Sequence, residues 1–194
     1  MRRLALALVV VAGVFSTTAA HAQITTAVAV DREHVYQGAI YGLVVRERAN
    51  PSTIVAQYVR NEALADAQEA ARAANAKRNE SESPPDPCEP VRETLITPNA
   101  GNDVLAASTV IDVAVDSKGR LWIASQHHGL VRRDVDGRFF HIPPPRPGDV
   151  QRMFVRDDGV WVTLAYGTAR YDGTRWLGWT GQPPRHKGTR PVRL

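Results

Sequence analysis

By residue type, the side chains most able to do chemistry are two adjacent histidines, His127-His128. They fall in a loop between two short apolar stretches, and matching loops elsewhere carry Tyr41 and Tyr166. Imidazoles and phenol rings on such loops suit a glycan or peptide, held by stacking and hydrogen bonds. A zinc site needs three or four ligands within reach. His141 lies a strand away and no carboxylate shares the spacing, so no metal is expected. Asp157-Asp158 has the look of paired catalytic carboxylates, but neighbours in a tight turn point apart, and turn chemistry accounts for both. Cys88 sits between Asp86 and Glu89, whose charges raise a thiol pKa, so a catalytic thiol is not expected. A solvent-facing thiol or a crosslink to a partner stays open. No nucleophile elbow, phosphate loop or His-Glu-x-x-His sequence occurs. No catalytic residue and no cofactor are expected.

The elements that must carry these loops form a unit that occurs three times. Val28-Ala29-Val30-Asp31, Val113-Ala114-Val115-Asp116 and Met153-Phe154-Val155-Arg156 open the units. A strand centred on an aromatic follows in each: Tyr36, Trp122, Trp161. Then come Tyr41-Gly42, His128-Gly129 and Tyr166-Gly167, with arginine just after. Trp122 and Trp161 are 39 residues apart, the period of one propeller blade. Tyr36 and Trp122 are 86 apart, one such period plus an insertion of about 47. Four short strands with turn formers between them are expected per unit. Asp-x-x-Gly and Asp-Gly supply tight hairpin turns. The aromatic fills the gap between sheets, and Gly129 and Gly167 allow close backbone approach.

The N-terminus begins Met1-Arg2-Arg3, runs apolar from Leu4 to Phe15 and ends Ala20-His21-Ala22. That describes a secretory leader, cut after Ala22. The apolar run is too short to span a bilayer comfortably. The expectation is a periplasmic or secreted protein with no membrane span. The formal charge of +4 includes two leader arginines, so the remainder carries 22 basic against 20 acidic residues. Arg132-Arg133, Arg146, Arg152 and Arg156 make the later units basic, but interspersed aspartates argue against nucleic acid.

Residues 60–107 interrupt the repeat. Alanines dominate from Asn61 to Lys77, which predicts a helix capped by Asn61, with Leu64 its one large apolar residue. A proline-rich, polar stretch follows to Pro90 and is expected to be disordered. The reading is a leader (1–22), a first degenerate blade (23–59), a helical and proline-rich insertion (60–107), a second blade (108–145), a third blade (146–182) and a basic tail (183–194). The fold class is mainly β: three propeller-like four-stranded blades, a partial propeller, with an inserted alanine-rich helix.

Asp116-x-x-Gly119-Arg120-Leu121-Trp122-Ile123-Ala124 and Gly129-Leu130-x-Arg132-x-Asp134-x-Asp136-Gly137-x-Phe139 resemble the two-component-regulator propeller repeat. Asp158-Gly159-Val160-Trp161-Val162-Thr163 and Gly167-x-x-Arg170-Tyr171-Asp172-Gly173 resemble it too, without Leu after Gly167. The first unit departs further, with Tyr36 in place of Trp and no Asp-Gly turn. That repeat builds the periplasmic sensor region of some hybrid histidine kinases. The resemblance implies loops of one face lying near an axis, which makes Tyr41, His127, His128 and Tyr166 the candidate ligand-binding residues. It also makes Tyr36, Trp122, Gly129, Trp161 and Gly167 structural. Three units leave two open sheet faces. Two chains pairing into a six-bladed ring, or an open array, is favoured over a degenerate fourth blade in 91–110. The expected function is an exported, non-catalytic binding module for a periplasmic protein or envelope glycan. Alternatives are an inhibitor or immunity-type partner, a decayed sensor remnant, and a small hydrolase or lyase.

Overall fold

The computed structural model describes residues 25–79, 90–98, 101–126, 128–144, 150–164 and 167–179. The expected leader (1–22), the proline-rich stretch with Cys88, His127, Tyr166 and the basic tail lie outside them. No described helix is long and apolar enough to cross a membrane. The chain is mainly β, arranged in several sheets with no closed barrel.

The first sheet holds β1 (Thr25–Val30), β2 (His34–Ala39), β3 (Gly42–Glu47) and β4 (Ile54–Arg60) as an antiparallel meander. The helix α1 (Glu62–Asn79) follows at once. Asn61 caps it: its side-chain oxygen accepts the Leu64 N–H at 2.9 Å, one of the donors a helix start leaves unpaired. Its amide nitrogen donates to the Asp103 carbonyl at 2.8 Å, tying the cap to a distant strand. Ala65 is fully buried and Leu64 packs on the first core, so the helix is docked through its opening turns.

Late in the insertion the chain makes two short strands that the repeat pattern does not predict. β5 (Thr94–Ile96) becomes the outermost strand of the second sheet, and β6 (Asp103–Leu105) runs parallel to β4 on the first. Three residues each give almost no periodic signal. What fixes them is tertiary: β6 is wholly buried, and β5 is held by pairing with β10.

The second sheet adds β7 (Val110–Val115), β8 (Leu121–Ser125), β9 (Gly129–Arg133) and β10 (Phe139–Ile142), in spatial order β5-β10-β9-β8-β7. The third holds β11 (Val150–Arg156), β12 (Gly159–Leu164), β13 (Gly167–Tyr171) and β14 (Trp176–Trp179). Each sheet is a blade: β7 packs on β1 and β2, and β11 packs on β7 and β8.

Two cores result. Between the first and second blades, Tyr36, Leu43 and Val45 meet Val113, Leu121, Ile123 and Phe139. Between the second and third, Trp122, Leu130 and Ile142 meet Met153, Val160, Val162 and Tyr171. Strand alternation makes this possible: Leu121 and Ile123 face one neighbour, Trp122 and Ala124 the other. Glycine matters at the start of the third strands. Gly42 has φ of 131°, and a Cβ there would collide with the Tyr58 carbonyl. At Gly129 a Cβ would come 2.5 Å from the Ile142 carbonyl oxygen.

Candidate functional site

Each blade carries the same device at the turn between its first two strands. A turn aspartate accepts backbone N–H groups from its own turn, or an arginine, and also bonds the aromatic of the second strand. Asp31 accepts the N–H of Glu33 at 2.8 Å and of His34 at 2.6 Å, and the Tyr36 hydroxyl at 2.7 Å. Asp116 accepts the N–H of Lys118 and of Arg120, both at 2.9 Å, and the Trp122 indole N–H at 2.9 Å. Asp158 accepts the Trp161 indole N–H at 3.1 Å and the Arg170 guanidinium at 3.0 Å. Arginines cover the rings: Arg132 lies 5.6 Å from the centre of Trp122, and Arg170 lies 5.7 Å from that of Trp161.

Where the turns of the second and third blades meet, they enclose a groove of about 210 Å³. Asp116, Ser117, Lys118 and Arg120 form one wall; Arg156, Asp157 and Asp158 form the other. Asp172, from the turn between β13 and β14, closes an end. Burial alone would raise the pKa of Asp116, but hydrogen bonds from Trp122 and Arg120 hold it below the ordinary 3.8. Burial likewise acts upward on Asp158, and Trp161 and Arg170 outweigh it. Burial acts upward on Asp172 as well, but the bonds from Thr174 and Arg175 together outweigh it and bring it to about 2. All three are therefore fixed anions near neutral pH, with no proton to give as general acids.

Those anions are already matched within the protein. Arg120 pairs with Asp116 at 2.6 Å, Arg170 with Asp158 at 3.0 Å, and Arg175 with Asp172 at 3.5 Å. Lys118 and Arg156 are different: both are exposed, and neither side chain has an ion pair or hydrogen bond among the described residues. Asp157 has only the Ser117 hydroxyl, at the long distance of 3.5 Å. The groove thus presents two available cations against one available anion. Among the described residues no group of three or more His, Cys, Asp or Glu could hold a metal ion.

Of the four loop residues expected to bind ligand, two are described. Tyr41 is 58 % exposed in the β2–β3 turn. His128 is only 9 % exposed, and its Nδ1 sits 2.6 Å from the side-chain oxygen of Gln68 on α1. The structure uses His128 to dock the helix. Antiparallel pairing puts these loops at the opposite strand ends from the groove, so the two candidate surfaces do not meet. His141 is also structural: it is buried, and its Nε2 donates to the His128 carbonyl at 2.7 Å.

Tyr36 and Trp122 lie in the two cores. Trp161 is buried too, but on the face turned away from the second blade, in register with exposed Phe154. The groove residues themselves were legible only as turn formers. The one further signal was a cation next to each turn aspartate, Lys118 beside Asp116-Ser117 and Arg156 beside Asp157.

No protein-family model matches this chain, and no curated protein does. Solved structures of an extracellular domain from B. thetaiotaomicron are similar. One, described as a one-component system, aligns at 13% identity with a TM-score of 0.48, over 78% of this chain and 16% of its own. Another, described as a hybrid two-component system, aligns at 13% identity with a TM-score of 0.47, over 76% of this chain and 15% of its own.

Proposed function

We propose that this chain is an exported, non-catalytic binding module built from propeller-type blades, and that its groove takes an acidic envelope glycan. The observation that supports the reading is the pair of uncommitted cations, Lys118 and Arg156, on facing walls of a groove whose carboxylates are otherwise internally neutralised. A ligand with spaced carboxylates would meet both walls. Asp157 would accept from its hydroxyls. Because the contacts are exposed, affinity should fall steeply with salt. The site suits recognition, since Asp116, Asp158 and Asp172 are held ionised and each is already paired with an arginine.

The test is titration of the full chain with uronic-acid oligosaccharides and with neutral oligosaccharides of equal length. Saturable binding of the acidic series is expected, weakened about tenfold or more in Lys118→Ala/Arg156→Ala, since each charge-assisted bond contributes roughly 1.5–3 kcal/mol. Equal affinity for both series, or no loss in the double variant, would sink the reading. A second surface, the loop end marked by exposed Tyr41, is favoured instead if Tyr41→Ala abolishes binding while the groove variant keeps it. Capture of a periplasmic protein that competes with neither series would point to the interaction-partner alternative.

A further inference from the structure

Each blade has two faces, and the strand registers make those faces comparable position by position. Toward the first blade, the second turns the ladder pairs Val113–Ile123 and Val115–Leu121. Toward the second, the third turns Met153–Val162 and Val155–Val160. At the same ladder positions on its outer face, the first blade carries Val28–Gln37 and Val30–Val35. The face is therefore built like the two that receive a preceding blade, with Gln37 the one polar replacement. Val28 is 56 % exposed and Val30 50 %.

The other end of the array is complementary. Tyr36 and Trp122 each project from the second strand of a blade toward the blade that follows. Trp161 occupies the same ladder position in the third blade; it is itself buried, and no further blade lies beyond it among the described residues. Beside it, Phe154 is 50 % exposed, where the first two blades have Ala29 and Ala114. The larger Phe154 would face Val28, which is smaller than the Met153 that the third blade turns toward the second.

We propose that a second copy of this chain supplies the missing neighbour, its third blade seating on the outer face of the first. This contact continues the two interfaces already present within the chain. It is head-to-tail, so it must close to avoid a filament. Two copies give six blades, inside the four-to-eight range in which blades close on themselves, whereas three would give nine. The proposal is independent of what the groove binds.

The experiment is sedimentation and light scattering of the full chain over a concentration series, with two variants. Val28→Arg/Val30→Arg alters the first blade, and Phe154→Arg alters the third. All three positions are half-exposed in the single chain, so a circular dichroism spectrum should show the fold intact. The expected result is a mass of two copies, with association at least about tenfold weaker in each variant because a desolvated charge is left unpaired. Mixing the two variants should restore part of the dimer, because one unaltered third blade then meets one unaltered first blade. A monomer at every concentration overturns the proposal. So does a dimer that neither variant weakens, a series of masses beyond two copies, or a mixture that shows no recovery.

Discussion

The first and second blades meet mostly through aliphatic side chains, with Tyr36 and one edge-on ring pair, Tyr58–Phe139 at 5.1 Å, and the parallel strand β6 sealing the edge. The second and third meet around rings, Trp122, Tyr171 and Trp176, and around a polar clasp. In that clasp Glu93 accepts two bonds from Arg132 and the Tyr171 hydroxyl at 2.6 Å. Asp134 takes the remaining Arg132 nitrogen at 2.7 Å. The first interface rests mainly on non-directional apolar burial, with the Thr26 and Thr109 hydroxyls donating to the Val110 and Ile40 carbonyls across it. The second fixes orientation, because planar guanidinium and carboxylate groups bond only in register. Glu93 comes from the later part of the insertion. The chain therefore uses its irregular segment to lock the two blades whose turns form the groove.

The comparison breaks most severely at Trp122. It is 2 % exposed, stacks edge-on against Tyr171 at 6.4 Å, and bonds Asp116. Trp122→Ala is expected to cost about 4 kcal/mol, from lost burial and the cavity left behind. That is a large part of the roughly 5–15 kcal/mol typical of a domain, so the urea midpoint should fall sharply. A loss below about 1 kcal/mol would mean that the blade interface relaxes around the gap, contrary to a ring-packed core.

Breaking the clasp should have the next largest effect. Glu93→Gln leaves Arg132 with Asp134 alone and weakens the Tyr171 bond, and about 2 kcal/mol is expected. The sharper version is a double-mutant cycle with Tyr171→Phe. A coupling of about 1 kcal/mol is expected if Glu93 joins the two blades, and none if it serves Arg132 only. Asn61→Ala attacks the first interface instead. It removes both the helix cap and the bond to the Asp103 carbonyl, at a cost of about 1–2 kcal/mol. Its effect should add to that of Glu93→Gln, because the two sites lie in different interfaces.

These effects mark what was legible in the sequence. The blade strands could be read because each has four or more residues with turn formers between them; the bonds from Asp31, Asp116 and Asp158 to the second-strand aromatics were not read. Asn61 could be read as a cap because capping depends on local chain geometry. β5, β6 and the Glu93 clasp could not be read, since three-residue strands have no period and Glu93 meets Arg132 across 39 residues of chain. The candidate site was misjudged at His128 for a related reason. A histidine in a loop is available only if nothing folds over it, and here Gln68 of the helix does. The groove was missed because a turn aspartate and a recognition carboxylate look alike until their partners are known.

The smallest effect expected is a dependence on pH, and it distinguishes the loop end of the blades from the groove end. Burial pushes the His141 pKa below its ordinary 6.5, opposed only by the bond to the His128 carbonyl. The folded chain therefore holds His141 neutral while the unfolded chain protonates it near 6.5. Between 6.5 and the lower folded value the unfolded state binds more protons, so stability rises with pH and is lost as pH falls. At the groove end, Asp116, Asp158 and Asp172 are held below their ordinary 3.8. Their contribution is present above that value and is lost only at lower pH. Urea midpoints measured from about pH 7.5 down to about 3 should thus decline in two stages. His141→Gln keeps a donor for the His128 carbonyl but cannot titrate, so it should flatten the upper stage and leave the lower one in place. If the upper stage survives that substitution, the loop end is not held by a neutral His141, and its packing on the His128 carbonyl is not what keeps that end closed.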